Sequence, residues 1–140
     1  MSAKQHARGA ARIAVILLAL LAAGWAKKPK SAADQNTAIS LVQMLSSGNY
    51  QGVVLHFNKD LKKQESPEKL KALWAAVLNE YGSFKKQVGL DAENVPGYDI
   101  INVHCAFQYA PVIVRFVFTG HNRVGNLFIV PDTPKKPDNT

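Results

Sequence analysis

The chain predicts an α+β fold in which three N-terminal helices pack on one face of a curved antiparallel sheet of about four strands. Two observations carry this. Up to Tyr81 the apolar residues recur three and four apart, the spacing of a helix face; from Tyr98 onward they alternate, the spacing of a strand. Breaks rich in Gly, Asn and Ser separate the segments, so the helices come first and the strands follow.

Asp34 or Thr37 can cap a first helix with the apolar stripe Ala38, Leu41, Val42 and Leu45. S-S-G-N-Y (residues 46–50) ends it. A short second helix then turns Tyr50, Val53, Val54 and Phe57 inward, and Leu61 packs back through a further turn. The third helix has the clearest boundaries. Ser66 offers a capping oxygen and Pro67 suits a first helical position that needs no N–H. Leu70, Leu73, Trp74, Val77, Leu78 and Tyr81 form one stripe, and Gly82 can take the left-handed conformation that stops a helix. A first strand is expected over residues 84–88, followed by a turn-rich loop, D-A-E-N-V-P-G, over residues 91–97. Three further strands are expected over residues 98–109, 111–119 and 124–130.

Alternation assigns the faces. Ile101, Val103, Cys105, Phe107 and Tyr109 share one face of their strand, and Val112, Val114, Phe116 and Phe118 share one face of the next. A tight hairpin at Tyr109-Ala110 sets Phe107 opposite Val112, Cys105 opposite Val114 and Val103 opposite Phe116. A turn at His121-Asn122, with Asn122 at positive φ, pairs Phe116 with Leu127 and Val114 with Ile129. The outer face then carries rows His104–Arg115–Phe128, Asn102–Val117–Asn126 and Ala106–Ile113–Val130. Such a face is too apolar for full exposure, so His104, Ile113, Arg115, Val117 and Phe128 are the expected interface of a homodimer. The other occupant weighed for it is a different envelope protein.

The N-terminus predicts export. Residues 1–12 carry Lys4, Arg8 and Arg12 and no acid, and a 14-residue uncharged run follows from Ile13 to Ala26. Roughly 20 apolar residues are needed to span a bilayer, so the run reads as a signal peptide over residues 1–26, cleaved after Ala26 or else after Gly24. An uncleaved anchor is the alternative, favoured by Lys27, Lys28 and Lys30. A Lys/Pro/Ala-rich linker is expected over residues 27–36, the folded domain over 37–131 and a disordered Pro/Lys-rich tail over 132–140. The net charge is +7, yet residues 37–131 hold nine Lys/Arg against seven Asp/Glu. The basicity belongs to the ends of the chain, which argues against a nucleic-acid surface on the domain.

Several motifs together resemble a known family. They are L-S-S-G-N-Y (residues 45–50), H-F-N-K-D-L-K (56–62), P-E-K-L-K-A-L-W (67–74), Y-G-S-F-K-K (81–86), V-R-F-V-F (114–118) and R-V-G-N-L-F-I-V-P (123–131). In this order they resemble a bacterial family of uncharacterised, usually exported domains within the nuclear-transport-factor-2-like (cystatin-like) superfamily. The resemblance implies a cone-shaped α+β domain. It implies no catalytic residue, because the family has none established.

The chemistry is sparse. Superfamily enzymes project carboxylates and tyrosines into the cone. Here the inward strand positions are apolar, and Asp99, near a strand end, is the only strand carboxylate expected. His104 and Cys105 are strand neighbours on opposite faces, which rules out a direct nucleophile–base pair. The histidines lack ligand spacing, and Cys105, the single cysteine, permits no internal disulfide. No catalytic residue, metal or cofactor is therefore expected. The expectation is a non-catalytic exported binding or interaction module, with Trp74, Tyr81, Phe107, Tyr109 and Phe116 facing any small apolar ligand. The alternative is a cofactor-independent isomerase or hydratase.

Overall fold

A computed structural model describes residues 30–133. The expected signal peptide, the start of the linker and residues 134–140 of the tail lie outside the described residues. The order is α1 (Lys30–Ser47), α2 (Tyr50–Val54), α3 (Lys59–Gln64), α4 (Pro67–Tyr81), β1 (Phe84–Val95), β2 (Tyr98–Phe107), β3 (Pro111–Gly120) and β4 (Arg123–Pro131). The strands form one antiparallel sheet in the order β1-β2-β3-β4. The architecture is α+β, with four helices rather than three and an open sheet.

The extra helix is the turn expected around Leu61. The Asn58 side chain accepts the Leu61 N–H at 2.9 Å and so nucleates α3 as a separate helix. The first helix also begins earlier than expected. It starts at Lys30, within the stretch read as linker, because Pro29 precedes it and residues 30–37 hold no further proline or glycine. Asp34 and Thr37 consequently lie inside α1 instead of capping it. Its stripe of Ala38, Leu41, Val42 and Leu45 is fully buried and packs on β2, β1 and β3.

The start of α4 matches its sequence signals, with Ser66 Oγ accepting the Lys69 N–H at 3.2 Å and Pro67 at the first position. Leu70, Trp74 and Val77 are buried, whereas Leu73, expected in the stripe, is 39% exposed. Gly82 ends the helix at φ 84°, ψ −167°, a positive-φ extended conformation rather than the left-handed helical one. A side chain there would also collide with Gln108, whose Cβ lies 2.6 Å from the position of the added atom.

In the sheet, residues 91–95 prove to be strand. Each pairs with β2, and the hairpin is the two residues Pro96 and Gly97, the latter at φ 86°. Proline followed by a positive-φ glycine meets the demand of a type II turn, and the polar run before it sits on an edge strand where polar side chains reach water. The β2–β3 register differs from expectation by two residues: Cys105 faces Val112, Val103 faces Val114 and Ile101 faces Phe116. A longer loop causes this, closed by Phe107 N–H to Ala110 C=O at 3.1 Å. A slip of two keeps every side chain on its face, so the core set survives. The β3–β4 register is as expected, with Phe116 facing Leu127 and Val114 facing Ile129. His121 and Asn122 both take positive φ, 51° and 59°, as a type I′ hairpin requires.

The helical layer is hydrogen-bonded to β4. Asn58 N–H donates to Val124 C=O and Val124 N–H donates to His56 C=O, both at 2.8 Å, making a parallel bridge at Phe57. The core lies between α1, α2, α4 and the inner sheet face, with Phe57, Phe116 and Phe118 its largest fully buried side chains. No described helix is long and apolar enough to cross a membrane.

Candidate functional site

Two places carry polar chemistry. The first is a cleft of about 520 Å³ at one end of the sheet. Three segments build it: Ala32, Ala33 and Asp34 from the start of α1; Val95, Gly97, Tyr98 and Asp99 around the β1–β2 hairpin; and Phe118, Gly120, His121 and Asn122 at the β3–β4 turn. Thr37 and Asn122 clamp helix to turn through side-chain contacts of 2.7 and 2.9 Å. Asp99 shares the inward parity of Ile101 and Val103 and faces Phe118 across the ladder. It is 8% exposed, and among the described residues its carboxylate has no hydrogen-bond or ion-pair partner. Asp34, also buried, is already partnered.

The second is a chain of side chains on the outer face. Arg115 Nε donates to Asn102 Oδ1 at 2.6 Å, and Asn102 Nδ2 donates to Asp91 Oδ1 at 2.8 Å. His104 then stands between two carboxylates, with Nε2 2.6 Å from Asp91 Oδ2 and Nδ1 2.7 Å from Asp132 Oδ2. An ionised carboxylate only accepts, so both ring nitrogens have to donate and the imidazolium is favoured. Hydrogen bonds to Asp132 and then Asp91, with the charges of both, raise the His104 pKa above its ordinary 6.5. Hydrogen bonds from Asn102 and His104 hold the Asp91 carboxyl below its ordinary 3.8. Asn102 is only 5% exposed, and both its donor and its acceptor are used.

This network alters three expectations. Asp132 was assigned to the disordered tail, yet its N–H donates to Pro111 C=O at 3.0 Å and its carboxylate holds His104. His104, expected without acidic neighbours, has two. The outer rows follow the two-residue slip: Asn102–Arg115–Phe128, His104–Ile113–Val130 and Ile100–Val117–Asn126. Of the interface candidates, His104, Ile113, Arg115 and Val117 are half-buried and Phe128 is 44% exposed.

The pocket candidates lie elsewhere in the molecule. Trp74, Tyr81 and Phe107 cluster with Phe84 at ring separations of 5.5–6.3 Å, at the end of β2 remote from Asp99. Phe116 is sealed in the core, and Tyr109 is 71% exposed on the β2–β3 loop. None of the five lines the cleft. Cys105 is buried, which pushes its thiol up to about 12 and leaves it inert as a nucleophile.

A family model described as protein of unknown function (DUF3887) matches residues 38–127, from the first buried residue of α1 into β4. The chain belongs to this family. No curated protein and no solved structure matches the chain. The matched span of the DUF3887 domain contains Asp99, Asn102, His104 and Arg115. It leaves out Asp132 and the α1 residues that wall the cleft.

Proposed function

We propose that this DUF3887 domain is a non-catalytic, exported binding module that holds a small, largely apolar molecule in the cleft between α1 and the two hairpins. The observation carrying the reading is the cleft itself: about 520 Å³, with apolar walls from Ala32, Val95 and Phe118 and few polar groups converging on it. Ligand sites have this make-up, concave and mostly apolar with a small number of placed polar atoms. Export is supported by the basic, then apolar, then small-residue pattern of residues 1–26. Placement in the nuclear-transport-factor-2-like superfamily is supported by the helices-then-sheet order and by a cleft opening between helix and sheet.

Ligand-observed NMR with a library of small apolar fragments tests the reading. Fragments are expected to bind the protein and to lose binding to an Ala32→Phe variant, whose ring fills the cleft. Hits indifferent to that substitution would place ligands elsewhere and end the proposal.

One observation favours a second reading. A buried carboxylate facing Phe118 in an open cleft is the arrangement a cofactor-independent isomerase uses for its base. Exchange of C–H for deuterium next to a carbonyl, lost in Asp99→Asn, is its signature; absence of exchange in bound fragments leaves the binding module.

A further inference from the structure

We infer that the ligand of this cleft is an organic cation, a protonated amine on a small apolar body, with Asp99 as its counter-ion; the inference rests on the cleft-binding reading above. Asp99 carries it. A carboxylate buried to this degree costs several kcal/mol unless it is paired or hydrogen-bonded, and the structure places it opposite Phe118 with no partner among the described residues. Its position on the cleft wall means that the missing partner has to arrive in the cleft.

The surroundings select a full positive charge over a neutral donor. No Lys or Arg lines the cleft, and the second acid there, Asp34, adds negative potential although it is itself partnered. Bonds in which both partners are charged are shorter and about twice as strong as neutral ones. Phe118 and Tyr98 add aromatic rings on the same wall, and ring faces attract cations. An anionic ligand would meet two carboxylates with only the exposed His121 imidazole to offset them. A neutral apolar ligand would bury Asp99 further without pairing it.

Three probes of one shape separate these cases: 2-phenylethylamine, 2-phenylethanol and 3-phenylpropionate. Each is titrated at pH 7 into ¹⁵N-labelled protein, purified as the cell processes it, and backbone shifts at Gly97, Asp99 and Gly120 are followed. The amine is expected to bind at least tenfold more tightly than the alcohol, the acid not at all, and Asp99→Asn to bring amine and alcohol level. Equal affinity of amine and alcohol for the wild type, or a preference for the acid, overturns the cation assignment while leaving a ligand cleft. No shift at these residues with any probe at millimolar concentration overturns the cleft-binding reading itself. If Asp99→Asn does not fold, the amine-to-alcohol ratio on the wild type decides alone.

Discussion

His104 and Asp99 show two opposite ways of handling charge. His104 has both nitrogens matched to carboxylates, so its protonated form stabilises the fold. Because its folded pKa lies above 6.5, that contribution is complete below pH 6.5 and is lost as pH rises through the raised value. Asp91 has a folded pKa below 3.8, so its contribution is complete above pH 3.8 and is lost as pH falls through the lowered value. The clasp is therefore strongest between pH 3.8 and 6.5. Urea midpoints of the wild type should fall relative to His104→Gln as pH is raised above this window; parallel curves would falsify the assignment. Asp99 is the reverse case. Removing its unpaired charge in Asp99→Asn should stabilise the ligand-free protein by about 1 kcal/mol, a rise in melting temperature of ~5 °C by calorimetry. Asp99 was legible in the sequence, since its parity with Ile101 turns it inward. The clasp was not: Asp91 and Asp132 lie 13 and 28 residues from His104, and only strand pairing brings them together.

At the scale of elements, the apolar period located every helix and strand that the core depends on. The differences arise where polar chemistry overrides period. Asn58 turns a loop into α3, and Pro96-Gly97 confines the β1–β2 break to two residues, so a run rich in Asp, Glu and Asn becomes strand. The register of β2 on β3 depended on one loop length, which apolar alternation cannot specify because a slip of two is invisible to it. The turn from α4 into β1 is the least tolerant junction. Gly82→Ala combines positive-φ strain of roughly 1–3 kcal/mol with the clash against Gln108 and Tyr109. Chemical denaturation should show a loss at least that large. An alanine variant as stable as the wild type would mean that the helix ends in another conformation.

For the whole molecule, the outer sheet face divides into a charged half around His104 and an apolar half around Val117 and Phe128. We propose the apolar half as the seat of a two-fold dimer. Native mass spectrometry should find a dimer that Val117→Asp converts to monomer, and a wild-type monomer ends that idea. The same spectra report processing: the mature chain is expected to begin at Lys27, and a mass that includes residues 1–26 indicates an uncleaved anchor.

The bridge between the helical layer and β4 has a consequence for what the protein avoids. An open sheet has two edges, each a template on which another chain can add a strand. At its start β4 already spends its backbone groups on His56 and Asn58, so that edge is shielded by the molecule's own helices. The β1 edge is long, but its register breaks at residues 84–86 and 87–89, and it carries Lys85, Lys86, Asp91 and Glu93. Kinks and charges of this kind deter strand-by-strand polymerisation, which matters for a domain that is exported before it folds. Growth at the edges is disfavoured at both ends of the sheet, so association is steered towards its faces, where it stops at two copies.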